Sequence, residues 1–175
     1  PYPPFEIPSA VAAIGQRLGD RGAAEQEAWL GRLEAVDPAI RTEFERVMSG
    51  KLPEDLADAV QSLKATLASD PPKLATRVAS QRVIEAIAPV MPELLGGSAD
   101  LSGSNNTKVK AQHPFTRDDA AGSYLHYGVR EHGMAAAMNG MALHGGVVPY
   151  GGTFLVFTDY CRPSIRLAAL MGIRV

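Results

Sequence analysis

With one cysteine, Cys161, this 175-residue sequence has no means to form an internal disulfide or a cysteine-based zinc site, and the expected compartment is cytoplasmic. An excess of either charge is also missing. The 17 Lys and Arg against 19 Asp and Glu give a net charge of -2, which speaks against a nucleic-acid partner held by bulk positive charge. No uninterrupted apolar run approaches the ~18 residues of a membrane span, so no membrane partner is expected. The first residues, Pro1-Tyr2-Pro3-Pro4, lack the basic and apolar blocks of a signal peptide. They also lack an initiator Met, and the chain is therefore expected to be a piece of a longer one. P-loop, G-x-G-x-x-G and G-x-S-x-G motifs are absent, which leaves simple nucleotide-binding and serine-hydrolase readings without support. The histidines, His113, His126, His132 and His144, show no H-x-x-x-H or H-x-H spacing for a metal.

What is present divides near Pro71-Pro72. Residues 1–74 carry 12 acidic and 8 basic side chains and 5 glycines; residues 75–175 carry 7 acidic, 9 basic and 12 glycines. The first part reads as a Pro-rich lead-in followed by helices. Ser9 is placed to cap a short helix through Arg17. Ala23 to Val36 sets Trp29, Leu33 and Val36 on one stripe. Asp37-Pro38 restarts a helix bearing Ile40, Phe44 and Val47, which Gly50 closes. Pro53 begins another, with Leu56, Val60, Leu63 and Leu67, and Asp70-Pro71-Pro72 ends it. Nothing here carries chemistry; a helical segment packed on a neighbour is the expectation.

The second part alternates strand and helix, the signature of a parallel α/β sheet flanked by helices. The spacing predicts a helix over 75–88, with Val78, Ile84 and Ile87 inward, a strand over 93–98 and a polar loop over 101–119. A strand over 124–129 and a helix over 131–143 follow. Then come a strand over 147–150 and a helix from about 154 to 170, interrupted or re-capped at Pro163. Ile173 to Val175 reads as the start of a strand, so the sheet is expected to be incomplete.

Several residues in this part can carry chemistry, each beside a plainer role. Arg77, at a helix start, is either a solvated surface arginine or a partner of the helix amides in holding an anion. The polar run Ser98 to Asn106 follows a strand, where α/β folds build ligand sites and where ordinary turns also occur. Glu131 opens a helix whose other residues include Met134, Ala135 and Met138. It either complements the helix dipole or shares a proton with a ring nitrogen of a ligand, a role Arg130 would oppose if it pointed inward. Phe154, Phe157 and Cys161 recur at helical spacing with Tyr160 beside them, as core or as a platform for a flat ligand.

Four strings, in order and spacing, resemble the transketolase family: Ala75-Thr76-Arg77-Val78-Ala79-Ser80, Gly96-Gly97-Ser98-Ala99-Asp100-Leu101, Tyr127-Gly128-Val129-Arg130-Glu131-His132-Gly133-Met134, and Gly152-Thr153-Phe154-Leu155-Val156-Phe157. Phe5-Glu6-Ile7-Pro8 and the acidic helices are similar to the linker between that family's two thiamine-enzyme domains. The resemblance implies a helical inter-domain linker over 1–74 and a truncated pyrimidine-binding α/β domain over 75–175. It implies ketol transfer between sugar phosphates with thiamine diphosphate. A dihydroxyacetone synthase-type transferase and a non-catalytic subunit of the same fold are the alternatives.

By position, the resemblance assigns Glu131 to the glutamate that hydrogen-bonds the N1′ nitrogen of the aminopyrimidine, whose shared proton activates the cofactor's carbon. It assigns Phe154, Phe157 and Tyr160 to the aromatic pocket around that ring, and Asp100 and Leu101 to the loop reaching the thiazolium region. Arg77 and Ser104 fall to the pair that grips the substrate phosphate. The divalent metal, Mg or Ca, would have its ligands outside this chain, because the family's Gly-Asp-Gly segment has no counterpart here. A homodimer partner is implied to complete the site. The 175 residues alone are therefore expected to be inactive and to self-associate through uncovered apolar faces.

Overall fold

The computed structural model describes residues 2–175; Pro1, the first residue of the Pro-rich lead-in, lies outside them. The chain separates into two compact units, residues up to Glu45 and residues Arg46–Val175, and the family-like strings all fall in the second.

In the first unit, α1 spans Ser9–Glu34. The two helices expected over 9–17 and 23–36 are one. Gly19 and Gly22 lie between them, but neither takes a positive φ and a Cβ at either would meet nothing, so each lowers helix propensity without forcing a break. Ser9 is not the cap: Pro8 occupies that position, its carbonyl accepting the amides of Val11 and Ala12. The restart at Asp37-Pro38 is as expected. Asp37 Oδ1 accepts the Ala39 amide at 2.8 Å, and α2 runs Pro38–Met48, its last residues from Arg46 on belonging to the second unit. Trp29 and Phe44 meet across the turn with ring centroids 6.4 Å apart.

The second unit holds α3, Asp55–Ser69, and α4, Thr76–Ile87, which packs on it. On α4 only Ile84 is fully buried, with Val78 and Ile87 half-buried. Three parallel strands follow: β1 Leu94–Ser98, β2 Tyr124–His126 and β3 Val148–Pro149, in the order β2-β1-β3. Between β1 and β2 the expected loop contains one helical turn, α5, Ser102–Asn105. Between β2 and β3 lies α6, Glu131–His144, stopped by Gly145 at φ 79°.

The two outer strands are shorter than their sequence patterns. β2 ends because Gly128 turns to φ 67°. β3 is cut to two residues and ends in Pro149, which has no amide to donate and sits in the outer strand where a missing donor is tolerated.

After β3, a 3₁₀ turn over Leu155–Phe157 leads into α7, Thr158–Met171. The interruption therefore lies before Thr158, and Pro163 is inside a continuous helix. The carbonyl it leaves without an amide belongs to Asp159, which faces solvent. Nor is there a strand at the end. The amides of Gly172 and Ile173 return to the carbonyls of Ala169 and Ala168, so these residues close the helix with Gly172 left-handed, and Ile173–Val175 are not in the sheet.

The core sits between the sheet and the α6–α7 pair, where Ala99, Met134, Ala135, Met138 and Cys161 form one buried cluster with Tyr127 and Met141 against it. Among the described residues no helix is long and apolar enough to cross a membrane.

Candidate functional site

Every segment singled out from the sequence except Arg77 leaves the carboxyl end of a parallel strand, the edge at which open α/β sheets place their ligands. Three backbone links bring these departures together: Tyr127 N donates to Ser98 O at 3.1 Å, Ala99 N to Gly152 O at 3.2 Å and Gly152 N to Gly97 O at 3.0 Å. Ser98 lies at the centre of them with no exposed surface. Its hydroxyl donates to Gly152 O at 2.9 Å and accepts the Leu101 amide at 3.0 Å, tying the start of α5 to the turn after β3.

β1 tolerates this crowding because it lacks side chains at two consecutive positions. A Cβ on Gly96 would fall inside the Tyr150 ring, and one on Gly97 inside the Tyr127 ring. Successive strand residues face opposite ways, so the two rings cover opposite faces of the strand. Burial pushes both phenols up to about 12; for Tyr150 the hydrogen bond to Gln112 opposes that rise and the nearby Tyr124 adds to it.

Glu131 is the first residue of α6 and only 8 % exposed. No described residue donates a hydrogen bond to its carboxylate. One turn further, Met134 and Ala135 join the buried cluster that also takes Cys161 from the second turn of α7. Arg130 does not oppose it from inside: the guanidinium is exposed and donates back to Tyr127 O at 2.9 Å. The aromatic residues form a ladder, Phe154 to Phe157 stacked at 5.9 Å and 28°, and Phe157 to Tyr160 at 5.9 Å and 34°. It is open to solvent at Tyr160, which is 65 % exposed. The Glu131 carboxyl is a proton-carrying group left without a partner among the described residues at the head of α6, and the rings are a partly open aromatic row at the start of α7.

Arg77, Ser104 and Phe154 line one cleft of about 690 Å³. Thr76, Ser80, Asn105, Thr107, Tyr150 and Thr153 also contribute to its wall, which contains one cation and no acidic side chain. Arg77 and Ser104 are exposed, and no described residue bonds their side chains. The amide nitrogen of Asn105 and the hydroxyl of Thr153 are buried without partners. Asp100, Leu101, Glu131, Phe157 and Tyr160 do not line this cleft. Asp100 is exposed and left-handed at φ 65°, an unusual state for a residue other than glycine; Leu101 is half-buried behind it.

The histidines are dispersed: His113 faces Asp119 at 3.3 Å, His132 faces Ser164 at 3.3 Å, His126 packs on Tyr124 and His144 contacts Gly145 O. No group of three or more potential metal ligands is gathered among the described residues. Sequence reasoning did not identify Tyr124, Thr107 or Gln112. Their roles depend on hydrogen bonds across the loop, which leave no periodic trace.

The family model for the transketolase pyrimidine-binding domain matches residues 72–175. Transketolase from Rhodobacter capsulatus is 50 % identical over 170 residues, covering 97 % of this chain and 25 % of that protein. Transketolase from Cereibacter sphaeroides is 49 % identical over 174 residues, covering 99 % and 26 %. Among solved structures, a Pichia stipitis transketolase in complex with sedoheptulose-7-phosphate superimposes with a TM-score of 0.84 at 35 % identity, covering 95 % of this chain and 25 % of that one. Transketolase from Leishmania mexicana gives 0.80 at 34 %, covering 94 % and 24 %. The chain thus spans about a quarter of the length of the relatives it matches.

Proposed function

This chain belongs to the transketolase family, and on that premise we propose that it supplies the pyrimidine-binding side of a thiamine diphosphate site, within a longer polypeptide that transfers two-carbon ketol units between sugar phosphates. The observation that carries this reading is the Glu131 carboxylate, enclosed at the start of α6 with no described residue donating to it. Thiamine diphosphate, when bound, supplies the carbon nucleophile of the reaction. The chain's own part is to hold the pyrimidine ring and manage one proton.

Glu131 would hold that proton between its carboxyl oxygen and the ring nitrogen, at the head of a helix whose next turn, Met134 and Ala135, is buried. Phe154, Phe157 and Tyr160 present ring faces and edges against which the pyrimidine lies. Asp100 and Leu101, at the end of β1, border the thiazolium side. The cleft with one cation and no carboxylate takes the phosphoryl end of the sugar, Arg77 offering its guanidinium fork and Ser104 its hydroxyl to the phosphate oxygens. Metal and diphosphate ligands, and the rest of the site, come from other parts of the polypeptide and from a second copy. The 175 residues alone are inactive on this reading.

The test is Glu131→Gln in the complete polypeptide, followed by turnover and by exchange of the C2 proton of bound thiamine diphosphate. Turnover and exchange should both fall by roughly 10²–10⁴-fold, with the circular-dichroism spectrum unchanged. Exchange at the wild-type rate would remove Glu131 from this role.

A further inference from the structure

We propose that Tyr150 and Tyr124 are positioning residues for substrate: their hydroxyls fix the short turn that carries Ser104, and so set how well the cleft takes a phosphoryl group. This rests on the reading of the Arg77–Ser104 cleft given above.

α5 has only four residues, far too few to hold itself in water, where isolated helices shorter than ~12 residues are marginal. Its exit at Asn106 is left-handed, φ 55°, a conformation that persists only where surrounding contacts impose it. The placement of Ser104 therefore depends on what grips the turn from outside, and the grip comes largely from two tyrosines, one on β2 and one just after β3.

Tyr124, on β2, has no exposed surface, and its hydroxyl pairs at 2.7 Å with both Ser102 Oγ and Thr107 Oγ1, one on each side of Ser104. Tyr150, just after β3, shares its proton between Thr107 O at 2.7 Å and Gln112 Oε1 at 2.8 Å. Gln112 continues the strap by accepting the Val109 amide and donating to Ser123 O. Neither anchor has freedom to drift. Gly96 lies directly beneath the Tyr150 ring, and the Tyr124 backbone pairs with Gly96 in the sheet. The Tyr150 phenol, raised to about 12, remains a donor throughout the neutral range. Ser104 itself is bonded through its backbone alone, its amide donating to Leu101 O. Its hydroxyl is thus free for a ligand yet aimed by a frame two residues before it, at Ser102, and three after it, at Thr107.

The test is a double-mutant cycle in the complete polypeptide, with Tyr150→Phe and Ser104→Ala assayed on an aldose phosphate and on the same aldose without phosphate. Tyr150→Phe should raise KM for the phosphorylated acceptor roughly 3–10-fold, clearly more than it raises KM for the unphosphorylated one. In the Ser104→Ala background the same change should cost less than about twofold, because two residues acting through one contact do not add. Equal losses on both acceptors, the same loss with and without Ser104, or no loss at all would each overturn the proposal. Should Tyr150→Phe fail to fold, Tyr124→Phe carries the same cycle with the same outcomes. Arg77→Ala separates this inference from the reading beneath it. If Arg77→Ala is selective for phosphorylated acceptors while the tyrosine variants are not, only the positioning role falls. If Arg77→Ala is unselective, the assignment of the cleft to phosphate falls first.

Discussion

Arg46 grips Glu93 with both arms of its guanidinium, Nη1 to Oε1 at 2.9 Å and Nη2 to Oε2 at 3.0 Å, immediately before the first residue of β1. Arg46 also donates to the carbonyl of Lys51, so this one side chain fastens the end of α2, the loop after it and the central strand. The Glu93 side chain is only 4 % exposed and that of Arg46 16 %.

Removing one member of such a pair strands a buried charge, which typically costs about 3–5 kcal/mol. Arg46→Met is expected to lose stability of that order in urea denaturation. Arg46→Met with Glu93→Leu should recover most of it, since an apolar pair leaves no charge unanswered. A double variant as unstable as the single one would mean that the other contacts of Arg46, the Lys51 carbonyl among them, dominate.

Arg77→Ala should weaken phosphorylated substrates in the complete polypeptide by about 10–100-fold, the range for losing hydrogen bonds between charged partners. Unphosphorylated analogues should be nearly unaffected. Steady-state KM values for matched pairs of sugars decide the matter.

Gly96→Ala puts a methyl group into the ring of Tyr150. A side chain forced into a packed site commonly costs about 1–3 kcal/mol. The thermal midpoint should drop by several degrees, and because the displaced ring carries the bonds to Thr107 and Gln112, KM for phosphorylated acceptors should rise in parallel. A normal KM in a destabilised variant would uncouple the two effects.

Alkali offers an independent check. The Tyr127 phenol stands at about 12 in the fold, raised by burial, against 10.0 when free. Below pH 10 both states keep the proton. Between pH 10 and 12 the unfolded chain releases it and the folded one does not, so stability declines as pH rises through that window. Tyr127→Phe should flatten the decline in denaturation midpoints. At pH 7 it should cost no stability through lost hydrogen bonding, because the hydroxyl is buried without a partner.

The helices and strands of residues 75–171 were legible because period and punctuation agree there: Gly128, Gly145 and Gly172 stop elements where their positive φ requires glycine. Other features were not. Gly19 and Gly22 in mid-α1 look like a break in the sequence, but a glycine in open space leaves the helix its choice. Ile173 to Val175 reads as a strand by composition, while the helix end claims the first of its amides, that of Ile173. The grouping of Arg77 with Ser104, 27 positions apart, was legible only through the family resemblance, since no local pattern announces it. Tyr124, Thr107 and Gln112 escaped notice because hydrogen-bonded frames depend on geometry and leave no periodicity in the residues that form them.

The paired glycines of β1 carry a consequence for how this sequence can drift. Each yields its space to an aromatic ring from a neighbouring segment, Gly96 to Tyr150 and Gly97 to Tyr127. Bulk can therefore pass from ring to strand only as a trade: a shrunken residue at 150 opens room for a larger one at 96, whereas at 97 the Leu125 carbonyl must shift as well as the Tyr127 ring. Lineages that alter one position of a pair should be found to have altered the other, and a designer reshaping the cleft would move them two at a time.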